Sequence, residues 1–296
     1  MKKVIYYTDE KNDDFAPTNG RISTKRVDGD YPYRHGPLWR LGSWAVYRLL
    51  ATPLVWLYCK LAFGLRIKNK RALRGLLGRY YLYANHTTMT LDAFLPTLLA
   101  FPYRGDVVTG PDAVSLPGLG GLVQMLGAVP LPTGVRGMNA FLERLQRSFD
   151  RRRAVLIYPE AHIWPFYNGI RPISDASFSS PVRFGVPAVG AVVVWRKRRI
   201  LRRLPPLATV WLSDPVSPPP QATPRAARRH LRGQIYRFMC DTAAREHSYA
   251  YIEYVKVQQP VQQAQEVCTA VPRGEELPQQ EPLAAAAEAG LAADGV

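Results

Sequence analysis

The chain has 296 residues, 47% of them hydrophobic, enough for one large α/β domain or two small ones with a sizeable core. Lys and Arg number 39 against 23 Asp and Glu, a formal net charge of +16, which points to an anionic partner or to a generally basic protein. The widely spaced Cys59, Cys240 and Cys268 form neither a disulfide framework nor a zinc pattern, and the N-terminus, soon acidic, is not a signal peptide.

Residues 1–35 are polar and rich in Gly, Asp and Arg, and are expected to form an irregular arm. The segment 36–64 is aromatic, apolar and basic together. A spanning helix needs about 20 largely apolar residues, and Arg40, Arg48, Pro53 and Lys60 interrupt this stretch too often. It reads as a helix kinked at Pro53, either lying in a membrane interface or packed on the domain's own core. A basic patch follows from Arg66 to Arg79.

The next stretch organises the rest. An apolar run ends in Ala84-Asn85-His86-Thr87-Thr88, and a second begins after Asp92, so a buried strand, a turn and a helix start are expected. Asp106–Gly110 reads as a second strand. The glycine-rich segment Pro111–Leu126 holds an interrupted helix and lacks phosphate-loop spacing. Gly127–Pro132 is a third strand leading into the Arg136 loop. Met138–Arg152 has helical periodicity, and Ala154–Tyr158 is a strand apolar on both faces, ending in Pro159-Glu160-Ala161-His162. An aromatic loop spans Ile163–Ser180. Two strands, 187–195 and 207–212, flank a basic turn; a proline-rich linker, a helix over 225–246 and a disordered tail over 259–296 complete the chain.

Strands alternating with helices imply an α/β fold with a mainly parallel central sheet flanked by helices. In such sheets, sites form beyond the carboxyl ends of the strands, and His86, Arg136 and Glu160 each follow a strand end. A histidine base, a carboxylate that orients it and cationic groups suit transfer of an activated acyl group to a hydroxyl. The plainer alternative is that His86 and Asp92 only cap a helix. No Gly-X-Ser-X-Gly elbow supports a serine acyl-enzyme.

On these residues the sequence resembles the glycerolipid acyltransferase family over roughly Tyr47–Val210. Asn85-His86 followed by Asp92 resembles its Asn-His, four residues, Asp block, with five residues between His86 and Asp92 here. Tyr158-Pro159-Glu160-Ala161-His162 is similar to its hydrophobic-Pro-Glu-Gly-Thr block, with Ala-His replacing Gly-Thr. The resemblance implies an acyltransferase domain over 65–258, with His86 as general base and Asp92 orienting it. It also implies that Asn85 and Glu160 contact the acceptor and that Arg136 binds its phosphate; the arginine usual just beyond the second block is replaced by Ile163, and Arg171, further along the loop, is expected to supply that charge to the phosphate. The implied donor is a fatty acyl thioester on coenzyme A or acyl carrier protein, and the acceptor is glycerol 3-phosphate or 1-acylglycerol 3-phosphate. No metal or organic cofactor is required. The expected location is the cytoplasmic face of the cell membrane, peripheral or monotopic, with no nucleic-acid partner. A non-catalytic membrane- or lipid-binding relative is the competing reading.

Overall fold

Apolar runs bounded by turn residues become the strands of a central sheet, and the amphipathic segments between them cover it. The computed structural model describes residues 3–16, 24–34 and 36–257; the tail expected over 259–296, with Cys268, lies outside them. In chain order the elements are β1 (Lys3–Tyr7), α1 (Pro37–Ala45), α2 (Thr52–Phe63), β2 (Arg66–Lys68), β3 (Tyr81–Ala84) and α3 (Met89–Leu99). They continue with β4 (Arg104–Thr109), α4 (Gly120–Met125), β5 (Ala128–Pro130), α5 (Met138–Asp150), β6 (Arg153–Ile157) and α6 (Ser179–Phe184). The last are β7 (Ala188–Arg196), β8 (Leu207–Leu212), α7 (Pro224–Arg245) and β9 (Ile252–Lys256).

Among the described residues, seven strands form the main sheet in the order β2-β8-β7-β3-β6-β4-β5. Neighbours run parallel except β7 and β8. That exception has a physical cause: the basic turn between β7 and β8 contains no crossover helix, and antiparallel neighbours alone can be joined that way. The fold is thus α/β, with a mostly parallel sheet flanked by helices.

The sheet is buried on both faces because its strands carry apolar side chains in both directions. Leu82 and Ala84 of β3 pack with Cys59 and Phe63 of α2 and Leu91 and Leu95 of α3. Tyr81 and Tyr83 point the other way, toward Phe141, Leu145 and Phe149 of α5 and Leu231 and Ile235 of α7. Each fully buried apolar side chain contributes about 1.5–3 kcal/mol, and this packing, more than local propensity, holds short helices in place.

The N-terminal arm departs from the sequence expectation. Lys3–Tyr7 is a strand, paired in parallel with β9 from Lys3↔Ile252 to Tyr7↔Lys256. Its β-branched and aromatic residues favour extended structure, but its partner lies at the far end of the folded chain. Val27 and Tyr33 are buried in the core. The arm, the helical segment and the sheet belong to one compact unit ending at Val257. The basic patch supplies β2, an edge strand whose Arg66 and Lys68 are exposed, as suits a sheet edge.

Pro37–Phe63 is a continuous helical stretch of 27 residues, long and apolar enough by length and composition to cross a membrane. It widens into a π-type turn over Val46–Ala51, just ahead of Pro53 in the first turn of α2. Val55, Cys59 and Phe63 face the core. Leu38, Leu41, Trp44, Leu49, Leu54 and Leu61 are exposed. One face therefore packs on the domain, while the other is apolar and uncovered.

One ion cluster stabilises the amino edge of the sheet. Asp106 of β4 is fully buried, 3.0 Å from Arg144 and 3.4 Å from Arg153, and accepts from Ser148 Oγ at 2.8 Å. Burial alone would raise its carboxyl pKa, but Arg144, Arg153 and Arg104 outweigh burial and hold it well below the ordinary 3.8. A lowered folded-state pKa contributes stability above the unfolded value, lost as pH falls through the folded one. Asp106→Asn is expected to cost about 3–5 kcal/mol at neutral pH, because it removes the carboxylate between the partly buried Arg144 and Arg153 and beside the buried Arg104. Urea midpoints measured at falling pH should decline less steeply below about pH 4 in this variant than in the wild type. Parallel curves would refute the assignment.

Candidate active site

The carboxyl ends of β3, β5 and β6 lie on one edge of the sheet, so His86, Arg136 and Glu160 emerge there together. His86 occupies the turn before α3. Thr88 is extended (φ −156°, ψ 146°) and α3 starts at Met89, which places Asp92 in the first helical turn. A carboxylate is favoured there by the helix dipole. It reaches back to the turn: Asp92 Oδ2 accepts from the Thr87 and Thr88 amides at 2.8 and 2.9 Å, and Oδ1 accepts from Thr88 Oγ1 at 3.2 Å. The same Oδ2 lies 2.8 Å from His86 Nδ1. The turn ahead of α3, with Thr88 extended, accommodates the extra residue between His86 and Asp92.

Asp92 is surrounded by donors and is 1% exposed, whereas the His86 side chain is 17% exposed. This geometry suits Nδ1–H donated to the carboxylate, which leaves the Nε2 lone pair as the proton acceptor. Two backbone bonds brace the turn from the aromatic loop: Trp164 N donates to His86 O at 3.2 Å, and Phe166 N to Thr87 O at 2.8 Å.

Tyr158 is a site residue whose role the sequence reading missed. Its ring stacks on His86, with centroids 4.2 Å apart and planes 17° apart, and its hydroxyl donates to Asp92 O at 2.6 Å. That carbonyl is free because residue 96 is a proline inside α3, which has no N–H to return to residue 92. Burial and the nearby Asp92 raise the Tyr158 pKa well above its ordinary value, keeping the hydroxyl a donor. The signal was present: Pro96 follows Asp92 by one helical hydrogen-bond step. We expect Tyr158→Phe to lose about 1–3 kcal/mol, the cost of an unsatisfied buried acceptor. Adding Pro96→Ala, which restores an N–H, should recover part of that loss in chemical denaturation; strictly additive losses would contradict it.

Three residues expected at the acceptor have other partners. Asn85 is 1% exposed. Its Nδ2 donates to Val193 O at 3.1 Å and its Oδ1 accepts from Val193 N at 2.8 Å, so it continues the β3–β7 pairing where the main chain leaves the sheet. Glu160 is 4% exposed. Its Oε2 accepts from His86 N at 3.0 Å and its Oε1 from Arg171 N at 2.9 Å, tying the ends of β3 and β6 to the aromatic loop. Burial raises its pKa, opposed by Arg171 and by the His86 amide.

Arg171 is 1% exposed and lies behind Glu160, with Nη2 3.5 Å from its Oε2. The guanidinium also donates to the carbonyls of His162 and, at 3.3 Å, Glu160, and sits 5.1 Å from the Trp164 ring centroid. Burial lowers its pKa. In this structure it is an internal counter-ion, inaccessible to an acceptor phosphate. The reason is the packing of the aromatic loop under the arm, where Trp164 stacks on Tyr254 of β9 at 4.9 Å.

Arg136 differs from these three. It lies in a short helical turn, Val135–Gly137, after β5, and is exposed. His162 is turned toward the arm, with Nδ1 3.6 Å from Asp14 Oδ2. Ala161 has φ +64°, in the left-handed region that favours glycine, which gives a conformational reason for the glycine at this place in the resembling block. Among the described residues, no group of three or more His, Cys, Asp or Glu side chains could hold a metal ion.

No family model matches the sequence, and no curated protein matches it. Among solved structures, the fold is similar to the 1-acyl-sn-glycerophosphate (LPA) acyltransferase PlsC from Thermotoga maritima. Sequence identity is 15% and the TM-score is 0.50, and the match covers 72% of this chain and 95% of that one. The relationship shown is one of fold: this chain has an acyltransferase-like α/β architecture, with a buried-carboxylate histidine at the carboxyl edge of its sheet.

Proposed function

We propose that the protein is a membrane-associated O-acyltransferase. In this reading it moves a fatty acyl group from a thioester, on coenzyme A or acyl carrier protein, to a hydroxyl of glycerol 3-phosphate or 1-acylglycerol 3-phosphate. The observation that carries the reading is the 2.8 Å contact between His86 Nδ1 and Asp92, with the imidazole partly open to solvent. His86 Nε2 takes the proton of the acceptor hydroxyl as its oxygen attacks the thioester carbonyl. The tetrahedral intermediate collapses with cleavage of the C–S bond, and the imidazolium returns the proton to the departing thiolate. Asp92 holds the ring and stabilises its charged form.

Arg136, exposed at the same edge, is the residue proposed to meet the acceptor phosphate. Asn85, Glu160 and Arg171 frame the site from behind. The uncovered apolar face of Pro37–Phe63 supports association with a membrane, at its cytoplasmic face in this proposal. The test is incorporation of labelled acyl chains by the purified protein, with acyl-coenzyme A and acyl carrier donors and both acceptors presented in vesicles. Acylated product from at least one pairing is expected. Tight vesicle binding with no transfer from any pairing would favour a non-catalytic lipid-binding relative.

A further inference from the structure

The amino edge of the sheet, opposite His86, carries a second concentration of chemistry. A cleft there is lined by Arg34, Arg40, Arg144, Arg147, Arg151 and Arg153, and no acidic residue lines it. They come from the arm just before α1 (Arg34), α1 itself (Arg40), the C-terminal half of α5 (Arg144, Arg147), the turn after it (Arg151) and the first residue of β6 (Arg153). Beneath them, Asp106 engages Arg144 and Arg153. Among the described residues, no carboxylate pairs with Arg34, Arg40, Arg147 or Arg151. Arg147 Nε is buried with no hydrogen-bond partner, as is Nε of the 7%-exposed Arg104, whose other nitrogens hold Ser43 at the cleft wall. Burial and the charges of Arg153, Arg40, Arg144 and Arg147 lower the pKa of Arg151. So many guanidinium groups converging with one internal carboxylate between them lack an anion.

Position indicates which anion. Trp39, Arg40 and Ser43 of α1 form one wall. On the same helix Leu38, Leu41 and Trp44 are exposed by 84%, 66% and 51%. A ligand held in the cleft therefore sits beside an apolar helix face, as the phosphate of a lipid headgroup would if its acyl chains met that face.

We propose that this arginine cleft is a phosphate-binding site, separate from the His86 centre, that takes the headgroup of an anionic phospholipid. The inference does not depend on acyl transfer. Its test is binding of the full chain to vesicles of phosphatidylcholine alone and with phosphatidic acid added. The Arg147→Gln/Arg151→Gln variant is expected to lose the preference for phosphatidic acid by tenfold or more, with binding to neutral vesicles unchanged. Arg225→Gln/Arg237→Gln removes the same charge from exposed α7 positions and should retain the preference. If the α5 double variant is destabilised in urea, the exposed Arg40→Gln replaces it, with a loss of several-fold expected.

Equal losses from the α5 and α7 variants would reduce the effect to diffuse charge and overturn the site, as would no loss from the α5 variant. Inorganic phosphate at constant ionic strength should raise the thermal midpoint of the wild type and not of the α5 double variant. That response without any preference for phosphatidic acid would keep a phosphate site and overturn its lipid occupant.

Discussion

His86→Ala is expected to lower acyl transfer by about 10²–10⁴-fold, the range general-base catalysis supplies, with little change in stability. The ring is partly exposed, and its polar contact is the one to Asp92. Its main-chain bonds, from Trp164 N and to Glu160, survive the substitution. Asp92→Asn tests the other half. Asparagine can still accept from the Thr87 and Thr88 amides, but it cannot both do so and stabilise an imidazolium as a carboxylate does. A loss approaching that of His86→Ala is expected, and the double variant should be no worse than the more damaged single one, because the pair acts as a unit. Labelled-acyl turnover under single-turnover conditions is the measurement. Turnover by His86→Ala equal to wild type would remove the mechanism and leave His86 a turn residue with a well-bonded neighbour.

Glu160→Ala should unfold the protein more readily than any other change at this edge, by about 3–5 kcal/mol. The opposite pKa directions of Glu160 and Arg171, raised and lowered by burial, show that both ions were costly to bury. Removing one partner keeps the cost of the other: Arg171 stays 1% exposed, held by carbonyls, the Trp164 ring and the more distant charge of Asp14. The amides of His86 and Arg171 lose their acceptors as well. Combining it with Arg171→Met, which removes the stranded charge, should recover a substantial part of the loss in urea denaturation. The pH dependence has the opposite sign to that of Asp106. A carboxyl raised above its ordinary 4.5 holds its proton more tightly in the folded chain. Its contribution is full below the unfolded pKa and declines as pH rises through the folded value. Stability of Glu160→Ala relative to wild type should therefore improve slightly as pH rises above about 4.5. A flat difference would show that Arg171 cancels burial completely.

Much of the fold was legible because it is periodic. β6 and α5 are a continuous apolar run and an amphipathic one, and their order in the chain already implies crossovers and a parallel sheet. That topology was enough to put His86, Arg136 and Glu160 at one edge. The sequence likewise indicated that His86 precedes its helix, since no helical face can hold it with Asp92.

What the linear chain does not contain is which polar group meets which. Asn85, Glu160 and Arg171 stand in a motif-like pattern, and only tertiary packing shows that they bond to β7, to the His86 amide and to each other. β1 was illegible because a strand's partner is a long-range fact, here β9 at the other end of the folded chain. The Tyr158–Asp92 bond needed both a proline in α3 and a strand end brought against it. The arginines of the amino-edge cleft, scattered from Arg34 to Arg153, read as ordinary surface charge until α1, α5 and β6 gather them. Local periodicity follows from side-chain spacing along the chain; burial, pairing and charge convergence depend on contacts that only the closed fold creates.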